Sequence, residues 1–332
     1  MTTPLANSSA ARFDILRLLA HRLLPRFSGD SKAALAARTG KRRGDFAVLD
    51  RSRPLAFMHI PKSGGTSLSL SLTNALKPQA VVFGFDRVLF GGYRDFASLD
   101  KTVRRAVFLS PHDLPCAELI IGHISVSTIR QRYPDAQLIT MLREPFSRIL
   151  SHWLFWRSWS EEELARWGRW ANRVRLSQLP LAAFLASPQL ACQLDNVTIR
   201  MLLWPHRLIP DDNFIDQGHD RMLLTEGLDR LAEFSLVEVV EGIDSSGRLQ
   251  TWLGMPVVPY HENKTKNIPG RLGERLPEEL TSDALDLLAL RSRLDLELWR
   301  HVAQRHFGSC EAQQLREHTM LRNVARYAAL MV

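Results

Sequence analysis

The chain reads as an α/β protein, a three-layer α/β/α fold around a central parallel sheet. Three observations point there. From Leu55 onward short apolar runs alternate with stretches of helical period, the pattern of strands joined by crossover helices. Two of those runs lead directly into loops with glycine, hydroxyl and basic side chains and then into a helix start. At 332 residues of ordinary globular composition the chain can bury a large core, and one domain with appendages fits better than several small ones.

In chain order, residues 1–45 are an N-terminal extension. Leu16, Leu19, Leu23 and Phe27 share one helical stripe among Arg17, Arg22 and Arg26, which predicts an amphipathic basic helix over 12–27. Such a helix either packs on its own domain or a partner, or makes peripheral contact with an anionic membrane. Gly40-Lys-Arg-Arg-Gly44 reads as a linker. No apolar run reaches bilayer-spanning length and no cleavable leader pattern is present, so the expected setting is cytoplasmic, without a Golgi-type anchor.

Residues 46–310 form the main domain. Its first strand carries Phe57-Met58-His59-Ile60 into Pro61-Lys62-Ser63-Gly64-Gly65-Thr66-Ser67. The glycines let successive backbone N–H groups turn toward one anion, the following helix presents its unpaired first donors, and Lys62 adds a mobile charge. The order is informative. A nucleoside-triphosphate loop places its lysine after the last glycine, and a dinucleotide loop needs G-x-G-x-x-G; this loop does neither. A second apolar strand, Leu138–Leu142, leads into Arg143-Glu144-Pro145, with Pro145 in the first turn of a helix. Ser147 and Ser151 are four apart and share one face of it. Arg143 either forks onto a phosphate with Ser151 as a second donor, or pairs with Glu144 or caps a neighbour.

Further strands are expected at Leu119–Gly122 and Ser235–Val240. The Trp- and Arg-rich stretch 153–170 breaks the rhythm and is either an acceptor-facing lid or core. Residues 277–307 are expected to form a terminal helix pair, with Leu287, Leu290, Leu294, Leu298 and Val302 on one stripe, and 311–332 a C-terminal helical tail.

The P-K-x-G-G-T-S order of the first loop resembles the 5′-phosphosulfate loop of sulfotransferases that use 3′-phosphoadenosine 5′-phosphosulfate (PAPS). Arg143 to Ser151 resembles the same family's 3′-phosphate motif, R-x-P-x-x-R-x-x-S, and its Arg-Glu-Pro-Phe-Ser-Arg looks closest to the glycan-modifying branch. Asp195-Asn-Val-Thr-Ile-Arg200, the Val239–Ser245 turn and the helix from Leu294 extend the resemblance over about residues 53 to 308. His261–Asn267 stands where the cofactor-closing loop is expected, and its match is loose; Asn263, Lys264 and Lys266 are its candidate nucleotide contacts.

The resemblance implies a P-loop-like sulfotransferase fold. The donor is PAPS, and 3′-phosphoadenosine 5′-phosphate (PAP) is the product. The expected acceptor is a carbohydrate or glycoconjugate hydroxyl, with peptidyl tyrosine or a small alcohol as alternatives. Lys62, Ser63, Gly64, Gly65, Thr66, Ser67, Arg143 and Ser151 are the donor-binding set, and Lys62 neutralises the charge that develops on the leaving phosphate without a metal. His123 in Ile120-Ile-Gly-His-Ile matches the segment where several carbohydrate sulfotransferases carry their base; the competing reading is a hydrogen-bonded structural histidine. His59 reads as core or loop support, and His152 as pointing elsewhere on its helix.

The net charge of +8 and pI near 9.8 suit an anionic cofactor. No zinc spacing, basic heptad or aromatic RNA-binding signature accompanies them, so nucleic acid is not the expected partner. Cys116, Cys192 and Cys310 are too few and scattered for a disulfide framework. A nucleotide kinase or a non-catalytic nucleotide-binding module remains the reading of another class.

Overall fold

The computed structural model describes residues 48–242, 245–257 and 276–330, the last four of them without side-chain detail. Six strands form one sheet: β1 (Leu55–Met58), β2 (Val81–Asp86), β3 (Val107–Phe108), β4 (Leu119–His123), β5 (Gln137–Leu142) and β6 (Leu236–Val239). Their order is β3-β2-β4-β1-β5-β6, and every pairing is parallel. Parallel neighbours cannot be joined by a tight turn, so helices carry the chain back across the sheet. The principal ones are α1 (Gly65–Leu76), α2 (Val126–Arg132), α3 (Pro145–Arg157), α4 (Glu161–Ala165), α5 (Val197–Leu203), α6 (Asp220–Leu231), α7 (Ser245–Leu253), α8 (Ser282–Phe307) and α9 (Ser309–Leu330).

The strand period of two divides the core into layers. Leu55 and Phe57 point to one face and pack with Leu68 and Leu72 of α1 and Trp252 of α7. Ala56 and Met58 point to the other, among Ile129 of α2, Ile199 of α5 and Leu298 of α8. With both faces covered the central strands read as continuous apolar runs, which made them legible in the sequence. Truncating the fully buried Phe57 to Ala removes a central filler and costs about 3–5 kcal/mol. A third cluster, built on Phe146, Ile149, Leu150 and Trp153 of α3, flanks the sheet.

The strands expected around 119–122, 138–142 and 235–240 are β4, β5 and β6. The remaining two carry weak signals: β2 contains Gly84 and leaves Phe83 53% exposed, while β3 is only two residues long. The terminal helix pair differs from expectation. Residues 282–307 are one helix, α8, and its partner is α9. The anticipated stripe holds for Leu294, Leu298 and Val302, but α8 also buries Arg291, Ser292, Asp295 and Trp299, because it is enclosed on several sides. Cys116 and Cys310 are exposed and Cys192 buried, all as free thiols. No described helix is long and apolar enough to cross a membrane. The 12–27 helix, the 40–44 linker, Asn263, Lys264 and Lys266 lie outside the described residues.

Candidate functional site

Because β1 lies between β4 and β5, the loops leaving Met58, His123 and Leu142 emerge side by side at the carboxyl edge of the sheet. Met58 is level with Gly122 on one neighbour and Thr140 on the other. The His59 amide donates to the Gly122 carbonyl at 2.9 Å, and Thr140 Oγ1 donates to the Met58 carbonyl at 2.8 Å. Lys62, His123 and Arg143, distant in sequence, therefore share one edge.

The loop after β1 has the backbone of an anion cradle. Lys62 is held at φ 66 and Gly64 at φ 73, a left-handed conformation that is costly for a lysine. Gly65 is required for a different reason: a Cβ there would lie 1.9 Å from the His59 ring. The N-cap residue of α1, Gly64, has no side chain with which to cap it, and no acidic residue stands in the first turn, so the positive dipole end carries no carboxylate of its own helix. Thr66 and Ser67 are half-buried on that turn; Ser63 is buried, and its hydroxyl has no hydrogen-bond partner.

Arg143 Nη1 donates to the Lys62 carbonyl at 2.9 Å, so the arginine caps a neighbour and pins the strained residue in place. Lys62 Nζ sits 3.8 Å over the Phe155 ring. Burial, then the Arg143 charge, push the Lys62 ammonium down to about 8.

The head of α3 is built differently. Glu144 caps its own helix, accepting from the Phe146 and Ser147 amides at 3.3 and 2.7 Å. Arg316 of α9 approaches the same carboxylate at 3.5 Å. The Glu144 amide donates to Glu241 Oε1 at 2.9 Å, and Trp299 Nε1 donates to Glu241 Oε2 at 3.2 Å. Burial pushes the Glu241 carboxyl up, against the nearby Arg143 charge. Of the two helix heads, that of α3 carries its own carboxylate cap and that of α1 does not. Ser147, Ser151 and Phe155 form one column along α3, and Phe155 meets Lys62, so this column faces the cradle. Both serines are buried and the Ser147 hydroxyl has no partner.

His123 Nδ1 lies 2.5 Å from the His59 carbonyl oxygen. A carbonyl only accepts, so Nδ1 carries the proton and Nε2 keeps a lone pair. Burial lowers the His123 imidazolium to about 4; the hydrogen bond opposes this and the Lys62 charge reinforces it. The ring is neutral at physiological pH. His59 follows β1, where the sequence placed it inside the strand, and its ring fills the space beside Gly65 at 4.4 Å from His123, a supporting role. His152, expected to point elsewhere, is buried edge-on to Trp156 with neither ring nitrogen hydrogen-bonded. Burial first, then the Arg148 charge one turn back on the same helix, depress its basicity.

The 153–170 stretch divides. Trp153, Trp156 and Trp170 are core, whereas Phe155, Trp159 and Trp167 are half-buried. The acids at 161–163 serve α4: Glu163 completes a capping box with Ser160, and Glu161 pairs with Arg175 at 2.8 Å. The 195–200 segment joins α5 to α8. Asp195 and Arg200 form a buried pair at 2.9 Å, and Asp295 caps α5 through the Thr198 and Ile199 amides. Glu241 and Asp86, which accepts from the Ser125 amide and hydroxyl, were not among the expected residues. Their partners come from neighbouring strand ends, which no local pattern announces. No protein-family model matches the chain, and no curated protein matches it.

Proposed function

We propose that the chain is a PAPS-dependent sulfotransferase of the P-loop-like kind, acting in the cytoplasm on a hydroxyl of a carbohydrate or glycoconjugate. The observation that supports this best is the uncapped head of α1 behind a lysine held at φ 66, whose carbonyl is tied to Arg143. A helix start, a lysine and a guanidinium at one sheet edge are the groups that a doubly phosphorylated nucleotide would need.

In the proposed reaction the acceptor oxygen attacks sulfur while the bond from sulfur to the 5′-phosphate oxygen breaks and PAP leaves. Charge building on that oxygen falls to Lys62 and the α1 amides, which are already oriented. The acceptor proton passes to Nε2 of His123, the ring nitrogen that the His59 carbonyl leaves unprotonated. The anionic donor raises the basicity of this imidazole from its low resting value.

Thermal unfolding with PAP and with ADP tests the donor. A ligand that binds only the folded state stabilises it by mass action, so PAP at matched concentration raises the midpoint more than ADP does. Equal shifts remove the case for a 3′-phosphate site. Release of PAP from PAPS in the presence of a chelator then separates a sulfotransferase from a magnesium-dependent kinase, which is silent there, and from a binding module, which releases nothing.

A further inference from the structure

A continuous series of ring contacts borders the cradle. Lys62 Nζ covers Phe155 at 3.8 Å, and Phe155 meets Trp159 edge-on at 5.4 Å. Trp159 and Trp167 stack at 5.5 Å with 27° between their planes, and Trp167 meets Phe85 at 6.0 Å. Phe85 stacks on His123 at 5.6 Å, and His123 contacts His59 at 4.4 Å. His59 and Lys62 belong to one loop, so the arc begins and ends on the cradle. Its four apolar members, Phe85, Phe155, Trp159 and Trp167, are all half-buried, while Trp153, Trp156 and Trp170 of the same region are sealed in the core. The rings left in reach of solvent are thus those joining the candidate charge stabiliser to the candidate base.

We infer that the arc formed by Phe155, Trp159, Trp167 and Phe85 is the acceptor subsite and takes a pyranose ring. The inference rests on the sulfotransferase reading and deepens it. A pyranose offers an apolar C–H face to an aromatic platform and a rim of hydroxyls to charged groups. Glu162 and Arg166, both exposed and within three residues of Trp159 and Trp167 in the chain, are the acceptor and forked donor available for that rim. A phenol has one hydroxyl and no use for such a fringe. The arc ends at the His123 ring, so a sugar stacked along it brings its hydroxyls near the candidate base.

The test uses methyl β-D-galactopyranoside, methyl β-D-glucopyranoside and p-cresol as probes on the PAP-saturated full chain, read by tryptophan fluorescence and saturation-transfer NMR. At least one glycoside is expected to bind with transfer concentrated on the C–H groups of one ring face. Trp159→Ala and Trp167→Ala are each expected to weaken it about three- to tenfold while leaving the PAP-induced thermal shift unchanged. Binding of p-cresol alone, or glycoside binding equal in wild type and both alanine variants, overturns the inference. If an alanine variant fails to fold, Trp159→Leu and Trp167→Leu, which keep an apolar filler but no aromatic face, decide, and unchanged glycoside affinity in both overturns it. Failure of the donor reading looks different: glycosides then bind, but PAP and ADP stabilise equally.

Discussion

Lys62 combines a left-handed backbone with an ammonium lowered from 10.5 to about 8 by burial and by Arg143. The unfolded chain holds that proton more tightly than the folded one. Between pH 8 and 10.5 the unfolded state therefore binds more protons, and this group's contribution to stability rises with pH; below 8 both states are protonated and its full penalty is present. An anion in the cradle reverses the shift. PAP affinity is expected to be level up to about pH 8 and to fall above it toward about tenfold per pH unit, with proton uptake visible as buffer-dependent binding heat. Affinity still level near pH 9.5 would show that Lys62 does not meet the ligand charge. Lys62→Ala is expected to depress turnover more than PAP affinity, because its charge counts most as the leaving phosphate develops. Normal turnover at saturating PAPS contradicts that role. His123→Ala is expected to keep PAP binding and lose about 10²- to 10⁴-fold in turnover with an alcohol acceptor. An unfolded variant, or near-normal rates across a pH series, makes His123 structural.

At the level of elements, two helices of similar length begin at the same sheet edge with opposite electrostatics. The head of α1 has no side-chain cap, while that of α3 is closed by Glu144. The open head suits a ligand and the closed one suits stability. Glu144→Ala removes two amide acceptors and the carboxylate that Arg316 approaches, and is expected to cost about 0.5–2 kcal/mol or more in urea unfolding. Glu144→Gln keeps an acceptor oxygen and is expected to cost less. Equal midpoints for wild type and the alanine variant would remove the capping role.

At the level of the whole molecule, the parallel sheet explains why the site exists where it does. Parallel strands all end on the same side, and the order β4-β1-β5 brings the loops after three of them together. The remaining chain then locks this edge from behind. Trp299 of α8 donates to Glu241, and Arg316 of α9 reaches Glu144, so the last two helices support the start of α3. The rear of the cradle thus depends on residues more than a hundred positions from the loop they brace, such as Trp299 and Arg316 behind Glu144.

Much of this was legible in the sequence because its causes are local. Gly64-Gly65 after Pro61-Lys62, and Pro145 after Arg143, announce a turn and a helix start through backbone rules that act over a few residues. Buried central strands announce themselves as apolar runs, and these yielded the α/β class and four of the six strands. Other features were decided only by tertiary neighbours. The pairing of His123 with the His59 carbonyl exists because β4 lies beside β1, and the requirement for Gly65 comes from the ring of His59. The sequence offers Arg143 a phosphate, Glu144 or a neighbouring carbonyl; in the fold Glu144 caps α3, while Arg143 caps Lys62. Of the five tryptophans of the 153–170 stretch three went to the core and two stay half-buried, a division set by which helix faces meet, since an indole carries the same apolar signal in either place. Local chemistry determined where the left-handed Lys62–Gly64 turn and the start of α1 form, and strand order determined which side chains stand around them, because side-chain contacts across a sheet depend on neighbours that the linear sequence does not place next to each other.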